Sequence, residues 1–295
     1  MAKKKPKLTT CDVAAVAAAL QSLQRQRQWH LKSRNMVANR LQSTVAGTLG
    51  YHNGMDKKER AALYKQATKV IAAIKKGGPA ESDMVAGIVK TTSIAIAGFQ
   101  EMKLSLENEM VAIAKTLPVA PWVEAPEQRG FGLLFLGIVI GETGDLAGYA
   151  NPAKVWRRLG CAPWTFDGQT LMGATWRGGK HGKLPSSEWE SFGYSPRRRS
   201  IAFLIGEGIV KQNSFASEVE PEEEEEESSE TEKRYKPVRD AGPYRQRYDE
   251  AKVTFAAKHP DYKPLRCHRH AMLLGTKLLL KNLWIQWTGA AKLEL

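Results

Sequence analysis

The sequence predicts a mainly α-helical protein. A long antiparallel helical stalk, a coiled coil or a bundle, precedes a compact helical domain with a helix-hairpin-helix-like element and a Gly-rich loop. Three observations predict this. Apolar residues recur at helical spacing through most of the first 118 residues, with no run of alternating strands there. Capping and stop residues fall where that spacing begins and ends. After Gly130, short apolar segments alternate with glycine-rich turns.

Thr9 or Thr10 can cap the first helix, which opens as CDVAAVAAALQSLQ. Val13, Val16, Leu20 and Leu23 form a seam that resumes at Val37, Leu41, Val45 and Leu49. Arg27, His30 and Arg34 interrupt it. A turn, GYHNG, follows at 50–54, and Asp56 with Glu59 makes a capping box for DKKERAALYKQATKVIAAIKK. Gly77-Gly78-Pro79 stops that helix. A third helix is predicted from about Ser82 to Leu117, with Phe99, Met102, Leu106, Met110, Ile113 and Leu117 on one face. Pro118, Pro121 and Pro126 predict a stiff connector, so residues 1–118 read as the stalk and 119–129 as a linker. Pairing of two chains through the stalk would make a homo-oligomer.

Residues 130–295 read as the second domain. Gly130 and Gly132 precede an apolar helix from Leu133 to about Gly141. Asn151-Pro152 is an N-cap with proline at the first helical position, opening PAKVWRRLG. Residues 161–193 read as loop, rich in Gly and Trp, with short strands around Thr165 to Trp176 and Asp167-Gly168 at a hairpin turn. Pro196 opens RRRSIAFLIGEGIVKQ. An acidic, low-complexity insertion at 213–240 predicts disorder. Two helices close the chain, GPYRQRYDEAKVTFAAKH and PLRCHRHAMLLGTKLLLKNLWIQW.

The formal net charge is +13 over 295 residues. The span 218–230 holds nine Glu and no Lys or Arg, and setting those nine aside leaves +22 on the remainder. Such a field suits a polyanionic partner, DNA or structured RNA. Cys11, Cys161 and Cys267 are odd in number and far apart with no CxxC, so neither a disulfide framework nor a Cys-rich zinc site is indicated, and a reducing, cytoplasmic setting fits. No apolar run reaches the length of a membrane span.

Candidate contacts with a nucleic acid follow from residue type. Glycines at 130 and 132 let backbone amides approach phosphate with no Cβ in the way; ordinary helix-turn punctuation explains them equally. Arg197, Arg198 and Arg199 stand at a predicted helix N-terminus, where cations oppose the helix dipole. With Arg177, Lys180, His181 and Lys183 they form a basic cluster beside Trp164, Trp176 and Trp189, suited to phosphate contact and base stacking. Arg25, Arg27, Lys32, Arg34 and Arg40 form a basic zone on the first helix, a backbone-tracking stripe or a solvated face. Cys267, His268 and His270 have ligand chemistry, but their spacing spreads them round a helix and no second ligand pair is near. The carboxylates open to a catalytic role are Asp12, Glu142, Asp145, Asp167, Glu188 and Glu190, with no rigid scaffold of strands to make them converge. There is no P-loop, HExxH or GxSxG.

GFGLLFLGIVIGETGDLAGYANPAKVWRRLGCAPW, GYSPRRRSIAFLIGEGI, YRQRYDEAK and HRHAMLLGTKLLLKNLW occur in an order that resembles the C-terminal domain of DEDD-type insertion-sequence transposases of the IS-one-ten family. The resemblance covers 130–212 and 243–287, and the helices before it resemble that family's connecting coiled coil. It implies DNA binding in transposition or recombination, with a guide RNA in active relatives. It also implies an RNase H-like domain with four metal-binding acids, which this sequence does not show. CDVAA would place Asp12 at the last of those acids, and one acid cannot hold two metals. Where the family has its nucleophilic Ser this chain has Asp167, and Ser186 and Ser187 lie further on. Mg²⁺ therefore enters only if a partner supplies the missing acids. Three functions stay open: a nucleic-acid-binding relative without its own catalytic centre, an active recombinase completed by another chain, and a helical scaffold with no nucleic-acid role.

Overall fold

The computed structural model describes residues 10–80, 82–162, 164–166, 169–171, 194–212, 214–215 and 240–292. The chain is mainly helical, as its periodicity predicts. Among the described residues lie α1 (Thr10–Thr48), α2 (Lys57–Lys75), α3 (Asp83–Ala114), α4 (Ala120–Val123), α5 (Leu133–Thr143), α6 (Pro152–Arg158), α7 (Pro196–Gln212), α8 (Pro243–Lys258) and α9 (Pro264–Lys292). Short 3₁₀ turns occupy Pro126–Gln128 and Leu146–Gly148. Two small antiparallel pairs join β1 (Trp164–Phe166) to β2 (Gln169–Leu171), and β3 (Ser214–Phe215) to β4 (Asp240–Ala241). In the first, Phe166 faces Gln169, a register set for a two-residue turn. Asp167 and Gly168 themselves lie outside the described residues, as does most of the acidic insertion.

The chain forms two compact units, residues 22–110 and residues 1–21 with 111–295. In the first unit the polar break in the α1 seam finds partners on α3. Arg27 donates to Glu107 at 2.7 Å, and Arg34 donates to Gln100 at 3.1 Å. Further along α1, Leu41 and Val45 pack with Val85 and Val89. Rising numbers on α1 meet falling numbers on α3, so the two helices run antiparallel. Ala67 of α2 enters the same core, making that end a three-helix bundle. Gln42 ties α1 to α2, donating to Tyr64 O at 3.1 Å and Thr68 Oγ1 at 2.8 Å. Asp56 caps α2 by accepting from the Lys58 and Glu59 amides.

Met102 is exposed, not on the buried stripe of α3. The inward face runs through Lys103, Glu107, Met110 and Ala114, and Met102 lies one residue, about 100°, away from it. The segment 119–129 is not extended. It carries α4 and a 3₁₀ turn, and Val119, Ala120, Val123 and Gln128 are buried. Proline suits both, because its fixed φ is favourable at a helix start.

In the second unit α8 and α9 pack as a hairpin, with Tyr248, Ala251, Ala271 and Met272 buried together. α7 lies on α9 at Gly206, where an added Cβ would meet Thr276 Oγ1 at 2.6 Å and Met272 Cγ at 2.7 Å. Indole donors fix the loops around α6: Trp156 donates to Lys277 O (3.0 Å), Trp284 to Tyr149 O (3.0 Å) and Trp287 to Asp145 Oδ1 (2.8 Å). The buried Tyr244 hydroxyl donates to Gln128 Oε1 at 2.7 Å and accepts from Asn282 Nδ2 at 3.3 Å. Tyr244→Phe strips the buried Gln128 oxygen of that donor, and a loss of about 1–3 kcal/mol is expected in urea unfolding. A change too small to resolve would show that water replaces the hydroxyl.

Candidate nucleic-acid interface

The site is built on an electrostatic mismatch at two helix ends. Glu142 sits in the last turn of α5, where the dipole disfavours an anion, and its side chain is only 2% exposed. Arg197, Arg198 and Arg199 sit in the first turn of α7, where the dipole disfavours cations. The fold brings the two together. Glu142 Oε2 accepts from Arg197 at 2.7 Å and from Arg198 Nε at 3.2 Å. A buried carboxylate needs this pairing to stay ionised without a large desolvation cost.

The last turn of α6 adds a third guanidinium. Arg158 donates Nε to the backbone oxygen of Glu142 at 3.2 Å, satisfying a carbonyl in the last turn of α5. Arg199 turns away and donates to Gly160 O at 2.6 Å. Two guanidiniums thus share one carboxylate, and a third holds the same residue's carbonyl. Burial, then the charge of Arg158, pushes Arg198 below the ordinary guanidinium range, while Glu142 pulls the other way. Burial raises the nearby Tyr149 phenol, opposed by Arg158 and Arg198. Arg197 is the open edge of the group, with 42% of its side chain exposed. An added anion there would relieve the like-charge crowding.

The other sequence candidates are placed as follows. Gly130 has φ +93°, and a Cβ on it would lie 2.4 Å from Gly208 O, so its missing side chain lets α7 approach. Gly132 is the exposed N-cap of α5 with no atom near its Cβ position. Arg177, Lys180, Lys183 and Asp167 lie outside the described residues. Arg27 and Arg34 are engaged with α3, whereas Arg25, Lys32 and Arg40 are exposed. Asp12 is exposed in the first turn of α1.

A two-metal centre does not fit the acids described. Glu142 is paired with arginines, and Asp145 accepts from Ala147 N at 2.9 Å and from Trp287. Among the described residues no three His, Cys, Asp or Glu side chains gather to hold a metal. Cys267, His268 and His270 have three different surroundings: the thiol is buried, His268 Nδ1 bonds the Tyr248 hydroxyl at 2.8 Å, and His270 stacks on Phe255.

Between α7 and α9 lies a cleft of about 480 Å³, lined by Phe203, Leu204, Met272 and Leu273 with Arg199 and Arg269. Cys161 borders it, buried, and burial pushes its thiol up to about 11, so it is a poor nucleophile near neutral pH.

Arg158 and Tyr149 were not legible as site residues, and Glu142 was legible only as a candidate catalytic carboxylate, not as the partner of Arg197 and Arg198. The signal available was Arg157-Arg158 at the end of a short predicted helix, which reads locally as dipole complement.

No family model matches the sequence, and no curated protein or solved structure is significantly similar to it. No described helix is long and apolar enough to cross a membrane.

Proposed function

We propose that this chain is a nucleic-acid-binding protein related to insertion-sequence transposases of the IS-one-ten family, without a complete catalytic centre of its own. It grips the sugar-phosphate backbone of DNA, or of structured RNA, through the basic group around Arg158, Arg197 and Arg198. The observation that supports this is the excess of cation at that point: three guanidiniums, one buried carboxylate, and Arg197 open to water on a chain of net charge +13. Phosphate contacts of this kind fix position without reading sequence.

The test is a salt titration of binding to a duplex oligonucleotide. Affinity is expected to fall steeply between about 50 and 200 mM salt, linearly in log–log form. Arg197→Gln is expected to weaken binding uniformly across sequences and to reduce that slope by about one. Absence of binding to DNA and RNA at low salt would leave the helical scaffold as the function. Binding that ignores Arg197→Gln would place the grip elsewhere on the chain.

A further inference from the structure

The connection between α8 and α9 carries a run of stacked rings, one pair of which joins the two helices. Phe255 lies on His270, with centroids 3.8 Å apart and planes 12° apart. His259 lies on Tyr262 at 4.6 Å and 9°. Phe255 and His259 join the two pairs at 4.6 Å, tilted by 54°. The Arg266 guanidinium covers the Tyr262 ring, 3.6 Å from its centroid. All four rings are half-buried, and Arg266 is exposed.

The hairpin core lies elsewhere, at Tyr248, Ala251, Ala271 and Met272. A short interhelical turn closes with small polar residues and proline, and Pro260 and Pro264 are present for that. The rings therefore keep part of their π surface at the water boundary, in cationic surroundings. Lys258, Lys263, Arg266 and Arg269 are exposed there, and Asp261 is the only acid between 251 and 277. Aromatic faces interleaved with cations fit a strand that offers bases and phosphates together. A duplex hides its base faces, so the partner must be unpaired.

We infer that the α8–α9 turn is a stacking platform for the bases of single-stranded nucleic acid, resting on the nucleic-acid reading above. Tyr262 receives a base on the face that Arg266 now shields. Arg266, released from the ring, pairs with the adjacent phosphate. The remaining stack, Phe255 on His270 and His259 behind Tyr262, holds the receiving ring rigid. The chemistry is common to DNA and RNA, since every base has a π face and no contact reads the sugar.

The full chain is titrated with four probes of equal length: an oligothymidylate, an oligouridylate, an abasic strand of the same charge, and a duplex. The single strands carry one 2-aminopurine, whose fluorescence is quenched on stacking. Wild-type protein is expected to quench both single strands and to bind them more tightly than the abasic strand. Tyr262→Leu is expected to abolish the quench and weaken single-strand binding about tenfold, within the range of one lost stacking contact, with duplex and abasic binding unchanged. Arg266→Gln, an exposed change that leaves the fold intact, is expected to weaken both single strands and lower their salt slope by about one. Equal affinity for the thymidylate and abasic strands, or a quench that survives Tyr262→Leu in folded protein, would overturn the platform while leaving the phosphate grip standing. Tighter binding of the turn to an acidic peptide, lost in both variants, would also overturn it. Failure of the wild type to bind any of the four probes at low salt would instead overturn the nucleic-acid reading itself.

Discussion

Glu142→Ala is expected to destabilise the second unit by about 3–5 kcal/mol, the cost of leaving a buried ion pair half-made. The carboxylate is 2% exposed and holds Arg197 and Arg198 at one oxygen. Without it, Arg198, 18% exposed, is left beside the like charges of Arg158 and Arg197. Most of the loss belongs to Arg198. Arg197 is more than a third exposed, so water screens its share. Urea unfolding followed by circular dichroism measures the loss. Glu142→Gln separates charge from shape, because the amide keeps an acceptor for the guanidiniums but carries no charge. It is expected to cost less than Glu142→Ala. Binding of a duplex by folded Glu142→Gln is expected to match or exceed that of the wild type, since an anion leaves the proposed interface. Weaker binding by that folded variant would show that the carboxylate orients Arg197 for phosphate more than it opposes it. A loss under about 1 kcal/mol for Glu142→Ala would show that solvent already reaches all three arginines.

What the sequence made legible was the part of the fold whose causes are local. Asp56 accepts from amides two and three residues on, and Asn151 accepts from Lys154 N with Pro152 behind it. Such caps need no knowledge of the rest of the chain. The polar break at Arg27 and Arg34 was legible as an interruption and not as an attachment, because Glu107 and Gln100 stand 80 and 66 residues away. The arginine run at 197–199 was visible as an anomaly of helix electrostatics. Its resolution by Glu142, 55 residues earlier, was not. Likewise His268 and His270 of α9 were visible as ligand-type residues, but the bond of His268 to Tyr248 and the stacking of His270 on Phe255 depend on how α8 and α9 meet. Residue chemistry names a candidate; the long-range partner decides how much of it is left for a ligand.

The two glycines at 130 and 132 look alike in sequence and are expected to behave oppositely. At Gly130, φ is +93°, a conformation costing an L-residue roughly 1–2 kcal/mol. Its Cβ would also stand 2.4 Å from Gly208 O, 2.7 Å from Gly208 C and 2.9 Å from Ile209 N. These are backbone atoms within α7 and cannot rotate aside, so overpacking adds about 1–3 kcal/mol. Gly130→Ala is expected to cost about 2–5 kcal/mol in all, lowering the unfolding midpoint in urea. Gly208→Ala strikes the same contact from the other side, with Gly130 O at 2.7 Å. The double variant is expected to lose less than the sum of the two, because the first substitution has already forced the backbones apart. Gly132, with φ −84° and nothing within 4 Å of its Cβ position, tolerates alanine at a cost under about 1 kcal/mol. That contrast separates packing from phosphate contact. If the amides at the start of α5 touch a phosphate, Gly132→Ala lowers duplex affinity while leaving the midpoint nearly unmoved. If they do not, Gly132→Ala is silent in both measurements, and the glycine pair serves only to seat α5 against α7.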